Sequence, residues 1–257
     1  MTAHEAALWP ARPGAGRPFV VGHRGGSVAA PENTLQAFAA GVESGVDAVE
    51  LDVIALATGD LVVTHDEGLA PLALAEARAR RPALPTLDEA LAWFAASAPA
   101  TGVHVDVKCL GREDEVVSAL GRHGLLDRSL VSSSHASSLR RFAAEAPTLP
   151  RALGYPHDRH GASHRPWLAP GVSAALMALR CALPARIGGL LEASSATVAA
   201  LESRVVSAAA VRSCHALGVP VHVWTVDDPA EATRLAALGV DAIVSGSPRL
   251  LLATLTA

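Results

Sequence analysis

The sequence predicts an α/β protein folded as a TIM-type (β/α)8 barrel. Three observations lead there. Short apolar strand patterns alternate with helical patterns from about residue 19 to 245, as successive βαβ units require. The chain has 257 residues, 50% of them hydrophobic, which suits one barrel with a full core. Polar residues recur at the ends of several predicted strands, and a barrel gathers its strand ends into one site at its C-terminal face.

Residues 1–18, rich in Ala, Pro, Gly and Arg, read as an irregular leader, and 19–257 as a single domain. Phe19-Val20-Val21-Gly22-His23 is the first strand. The glycines of His23-Arg24-Gly25-Gly26 suit a turn whose N–H groups approach an anion. Thr34 or Asn33 caps a helix over 35–45, and a strand follows over 48–54. Within that strand Glu50 and Asp52 share a face, with Cα atoms roughly 6.6 Å apart. Val49, Leu51, Val53 and Ile54 suit a strand buried on both faces. Carboxylates buried there need a partner, and a cation is the natural one; an amphipathic hairpin with its charges in water is the alternative. The turn Thr58-Gly59-Asp60 then leads through Leu61-Val62-Val63-Thr64 to His65-Asp66. A hairpin pairing 56 with 61 sets His65 opposite Asp52, beside the carboxylates.

Helices over about 70–81 and 87–97 come next, the second opening on the capping pattern Pro85-Thr86-Leu87-Asp88-Glu89. Arg78, Arg80 and Arg81 read as a solvated face. In Val103-His104-Val105-Asp106-Val107-Lys108 the even positions are polar and the odd ones apolar. That pattern fits a barrel strand lining a site, or an exposed edge strand; Lys108, the only lysine in the chain, favours the site. Asn33 is likewise the only asparagine, a mild hint of a chemical requirement. A helix over 112–123, a strand over 129–133, a helix over 137–145 and a strand near 151–154 continue the alternation. Residues 155–170 break it: His157, His160 and His164 have helical metal spacing, but Pro156, Gly161 and Pro166 argue for a mobile loop near the site mouth instead of a zinc site. A strand or two around 172–192, a helix over 207–217, a strand from Val219 to Thr225, a helix over 228–238 and a last strand over 242–245 bring the count to seven or eight strands.

Composition excludes some functions. A net charge of −4 leaves no basic footprint for nucleic acid. No apolar run is expected to reach the roughly 18–20 residues of a membrane helix. Glu5 and the lack of a basic n-region argue against a secretory signal. Cys109, Cys181 and Cys214 are odd in number and far apart, as free thiols of a reducing compartment would be, so the cytoplasm is the expected location. Oligomeric state is not legible.

The strand-end residues resemble a known family. His23-Arg24-Gly25, Pro31-Glu32-Asn33-Thr34, Glu50-Leu51-Asp52 and His65-Asp66, in that order, look like the signature of glycerophosphodiester phosphodiesterases. Asp106-Val107-Lys108 and Trp224-Thr225-Val226 sit where that family has Glu-x-Lys and Trp-Thr-Val, and Gly239-Val240-Asp241-Ala242-Ile243 resembles its last strand. The likeness runs from about residue 19 to 250. It implies a TIM barrel of the phospholipase C-like phosphodiesterase type, which hydrolyses small-molecule glycerophosphodiesters to glycerol 3-phosphate and an alcohol. It also implies one divalent cation, Mg2+ or Ca2+, with Mn2+ a further candidate. Carried over residue by residue, Glu50, Asp52 and Asp106 would hold the metal, and His23 and His65 would be general acid and base. Arg24 and Lys108 would bind phosphate oxygens, and Trp224 would line the glycerol pocket.

The chemistry supports the same set. A phosphodiester needs positive charge on its non-bridging oxygens, a proton taken from the nucleophile and a proton given to the leaving alkoxide. All-oxygen ligands select a hard ion. The chain departs from the family at Asp106, where Glu is usual, at Asp227, where Asn often stands, and at Ser245-Gly246-Ser247-Pro248, which replaces Thr-Asp-x-Pro. The Asp-x-Lys pattern is shared with related phospholipase D toxins, but Pro31-Glu32-Asn33-Thr34 favours the glycerophosphodiesterase likeness. A lysophospholipase D-type activity is the alternative enzyme. A non-catalytic barrel that only binds a phosphorylated ligand is the alternative of another class, and the complete set of histidines, carboxylates and lysine argues against it.

Overall fold

In the computed structural model, which describes residues 16–26, 30–157 and 169–256, the barrel closes. The first strand, β1 (Phe19–Gly22), is followed by α1 (Leu35–Glu43), β2 (Ala48–Ala55), β3 (Leu61–Val63), α2 (Leu74–Arg80) and α3 (Leu87–Ser97). Then come β4 (Gly102–Val107), α4 (Glu113–Arg122), β5 (Ser129–Ser133), α5 (Ala136–Glu145), β6 (Arg151–Tyr155) and α6 (Ala169–Ser194). The chain finishes with β7 (Val198–Glu202), α7 (Ala208–Ala216), β8 (Val221–Trp224), α8 (Pro229–Ala237), β9 (Ala242–Ser245) and α9 (Pro248–Leu255). Every strand except β3 is parallel to its neighbours, and β1 pairs with both β9 and β2, so the eight-stranded ring has no open edge. β3 is an antiparallel appendage on the C-terminal half of β2.

Local chemistry explains the boundaries. Thr34 accepts a hydrogen bond from the N–H of Ala37 and caps α1. Thr86 and Glu89 cap α3 reciprocally, and Asp228 followed by Pro229 opens α8. Inside the barrel, Val21, Leu130 and Val244 pack with alanines at 48, 152, 200 and 242. Two larger apolar clusters lie between the sheet and the surrounding helices. The small interior side chains leave room for two buried histidines, His104 and His222.

Three expectations need correction. The region around 172–192 is not strand but the middle of α6, because its buried residues Leu176, Leu183, Ile187 and Leu191 recur at helical spacing in an Ala- and Leu-rich run. The strand falls later, as β7. At 26 residues, and with a mean hydropathy of 1.4 over its most apolar stretch, α6 also has the length and composition of a membrane-spanning helix, which the sequence reading did not expect. The β2–β3 hairpin pairs Ala55 with Leu61, one residue from the expected register. The reason is a three-residue loop at 57–59, with Gly59 at φ +91°, closed by the Leu56 N–H donating to Asp60 O at 2.9 Å. Asp52 therefore stands opposite Thr64, not His65, and the Thr64 N–H donates to its carbonyl. Of the leader, 1–15 lies outside the described residues, as do 158–168 of the expected loop with His160 and His164; His157 packs edge-on against His135.

Candidate active site

The site is assembled at the C-terminal ends of β1, β2 and β4. After β1 the chain turns sharply through His23–Gly25, with Arg24 at φ +53° and Gly25 at φ +103°. α1 lies directly beneath: a Cβ on Gly41 would stand 2.0 Å from the carbonyl oxygen of Gly25, and one on Gly25 would stand 2.6 Å from the Cβ of Ala37. The turn does meet an acceptor, but one from the chain itself: the Arg24 N–H donates to Glu50 Oε2 at 2.9 Å. Asn33, at φ +59°, is held by its N–H donating to Arg24 O. Its amide clamps Asp52 at both ends, with Nδ2 donating to Oδ2 at 2.9 Å and Oδ1 accepting from the Asp52 N–H at 3.1 Å.

β2 and β4 run in register, Glu50 beside His104 and Asp52 beside Asp106. Oxygens of Glu50, Asp52 and Asp106 come within 4.8 Å of one another. Two cations reach the same group. Arg24 pairs with Asp52 Oδ2 at 3.0 Å and with Glu32 at 2.8 Å, while Lys108 pairs with Asp52 Oδ1 at 3.1 Å and also with Asp106 Oδ2. The second oxygen of Asp106 accepts a hydrogen bond from Ser132 on β5 at 2.6 Å, and Ser132 in turn meets His104 Nε2 at 2.8 Å.

Charge crowding tunes these groups. Burial, reinforced by Asp52 and Asp106, pushes the Glu50 carboxyl well above the usual range. Burial also pushes Asp52 upward, but Lys108 and Arg24, with the Asn33 amide, outweigh it and hold Asp52 low. For Lys108, burial works against the ammonium, but Asp106 and Asp52 prevail and keep it charged. His23 is lowered to about 4 by burial and by Arg24. His65, just past β3, is lowered by burial and sits in the same field, felt by Asp52, Arg24 and Lys108. Burial thus disfavours the protonated form of both imidazoles.

The structure thus brings His23, Arg24, Glu50, Asp52, His65, Asp106 and Lys108 together. His65 arrives despite the shifted register, because regular pairing stops at Val63 and the alternation of faces ends with it. Trp224 ends β8 in register with Glu202, its indole N–H donating to Ala200 O at 3.1 Å, so it stands on the same rim. Sequence reasoning missed Asn33, Ser132 and His104 as parts of the site. The signals were the uniqueness of Asn33 and its place in Pro31-Glu32-Asn33-Thr34, and the polar parity of His104 on its strand. The departure at Asp227 has a structural role: its Oδ1 accepts from Ser245 Oγ at 2.9 Å and from the N–H groups of Gly246 and Ser247 at 2.7 and 3.2 Å, tying the loops after β8 and β9 together.

Fold and site define a class, the (β/α)8 barrel enzymes that work on an anionic ligand at the C-terminal rim. The chain belongs to the glycerophosphoryl diester phosphodiesterase family, whose sequence model matches residues 23–97 and 76–250. A glycerophosphodiester phosphodiesterase of Caldanaerobacter subterraneus is 27% identical over 91% of this chain and 96% of its own length. An uncharacterized protein of Bacillus subtilis is 30% identical over 158 residues, a stretch that spans 52% of this chain and 65% of that protein. Among solved structures, a phosphodiesterase of Oleispira antarctica, in complex with the product sn-glycerol-3-phosphate, superimposes with a TM-score of 0.72 at 24% identity over 94% of this chain and 98% of the other, which shows the shared fold.

Proposed function

We propose that this protein hydrolyses glycerophosphodiesters to glycerol 3-phosphate and an alcohol, with a divalent cation held by Glu50, Asp52 and Asp106. The observation that carries the reading is the convergence of three carboxylates, their oxygens within 4.8 Å, on a rim that also presents two imidazoles and two fixed cations. The donor set fits a hard ion: it is all oxygen, with three carboxylates gathered beside the two cations Lys108 and Arg24. Mg2+ or Ca2+ is expected, and Mn2+ suits the same donors. When bound, such an ion supplies positive charge to the non-bridging phosphate oxygens.

The chain's own groups do the rest. Arg24 and Lys108 bind phosphate oxygens and orient the phosphorus. His23 and His65 move the two protons that the reaction needs, each contributing typically ~10²–10⁴-fold. Trp224 offers a flat apolar wall to the glycerol carbons.

One observation favours lysolipids among the substrates. α6 enters from the C-terminal side of the barrel, and Arg180 bonds to the carbonyls of Arg204 and Val206 just beyond the end of β7. The residues before Arg180 therefore stand above the rim. There Ala174, Ala175, Met177 and Ala178 are exposed, Met177 at 61%. Such a surface could carry an acyl chain.

The test is an assay for released glycerol 3-phosphate over several glycerophosphodiesters and lysolipids, with and without EDTA. Turnover abolished by chelation and restored by Mg2+ or Ca2+ is expected. Turnover unchanged after exhaustive chelation would remove the metal, and no turnover of any phosphodiester by folded, metal-loaded protein would leave a binding barrel.

A further inference from the structure

Among the described residues, Asp106 is the group assigned to the reaction that Ser132 touches. By the resemblance described above, Asp106 is one methylene shorter than the Glu usual at its place. A shorter carboxylate has fewer rotatable bonds, but its oxygens must still be aimed, and free rotation about Cβ–Cγ would spread them. Here that rotation is pinned from both sides. Lys108 holds Oδ2, and the Ser132 hydroxyl holds Oδ1 at 2.6 Å. The Ser132 oxygen is itself fixed by His104 Nε2 at 2.8 Å. An ionised carboxylate only accepts, so the single hydroxyl proton of Ser132 goes to Asp106, and the bond with His104 is donated by the ring. The direction of the chain His104 to Ser132 to Asp106 is thereby set. Register supports it: Asp106 pairs with Ser132 across β4 and β5, so both side chains point into the barrel at one level.

We propose that Ser132 is a positioning residue for the metal site, orienting the Asp106 carboxylate for cation binding through its hydroxyl. This rests on Asp106 being a metal ligand. Outer groups of this kind typically tune metal affinity by ~10–100-fold.

Calorimetric titration of Mg2+, Ca2+ and Mn2+ into chelator-stripped protein tests both levels. The variants are Asp106→Asn, Ser132→Ala and the pair Ser132→Thr and Ser132→Val, which match in shape and differ in the hydroxyl. Unfolding midpoints without metal are recorded alongside. Ser132→Thr is expected to bind within about 3-fold of wild type, and Ser132→Val ~10–100-fold more weakly. The Thr–Val comparison holds even where Ser132→Ala leaves a void. If Asp106→Asn weakens binding while Ser132→Val binds like Ser132→Thr, the positioning role is overturned and the metal reading stands. If Ser132→Val lowers only the metal-free midpoint, the role is structural and the proposal fails. If Asp106→Asn leaves the isotherm unchanged, Asp106 is not a ligand, and both statements fall.

Discussion

Glu50 and Asp52 have the same chemistry two residues apart, yet their environments drive them in opposite directions. Asp52 faces Arg24, Lys108 and the Asn33 amide, whereas among the described residues Glu50 accepts from the Arg24 backbone N–H and has two carboxylates as neighbours, with Lys108 as a counterweight. In the absence of metal, Glu50 is the strained member of the cluster. Glu50→Gln keeps an acceptor for the Arg24 N–H and removes the repulsion. It should therefore raise the metal-free unfolding free energy by about 1 kcal/mol while lowering kcat at least ~10²-fold, a trade of function for stability. Chemical denaturation and steady-state kinetics on one preparation check both halves. His23→Ala and His65→Ala should each lower kcat at least ~10²-fold with the fold intact. Near-wild-type turnover in either variant would relieve that histidine of proton transfer. Little of this asymmetry was legible in the sequence, which shows two equivalent acids on one strand face. What distinguishes them is the pairing of Asp52 with Lys108 and Arg24 and with the Asn33 amide, groups that are distant from it in sequence.

α6 divides into two halves. An α-helix rises 1.5 Å per residue, so 26 residues extend roughly 39 Å, about twice a five-residue strand. The C-terminal half packs Leu183, Ile187 and Leu191 against the barrel, while the half above the rim is mostly exposed. Ile187→Ala should cost about 2–4 kcal/mol of stability, and Met177→Ala less than about 0.5 kcal/mol. Urea unfolding of the two variants measures the contrast. A large loss in Met177→Ala would show that the upper half is packed in solution. If this half holds an acyl chain, Met177→Glu should raise KM for lysolipids and leave KM for short headgroups unchanged.

The barrel as a whole encloses two histidines in an interior of small apolar side chains. His222 is held near a pKa of about 3 by burial and by its neighbour His104, against roughly 6.5 in an unfolded chain. Between these values the unfolded state binds a proton that the folded state refuses, so stability is full above pH 6.5 and falls as pH drops through the window. At pH 4 the loss from His222 is on the order of 3 kcal/mol. His222→Leu should therefore close the gap to wild type, or overtake it, on going from pH 7 to pH 4. Unfolding free energies of metal-free protein at several pH values measure that gap. A constant difference across the range would show that His222 does not titrate on unfolding.

The sequence by itself determined the alternation of strands and helices, the closed barrel and the identity of the strand-end residues. Each is carried by a local period: 2 in a strand, 3.6 in a helix. The Glu50/Asp52 spacing and the polar face at 104, 106 and 108 are local in the same sense, which is why the metal-binding candidates were readable. Tertiary structure decided the rest. It set the hairpin register, which a left-handed Gly59 shifted by one residue. It merged the run after 169 into one long helix, where the sequence reading expected a strand or two. It brought Asn33 to Asp52 and Ser132 to Asp106, across 19 and 26 positions. Such pairings depend on how neighbouring strands align, and no pattern within a single strand encodes that alignment.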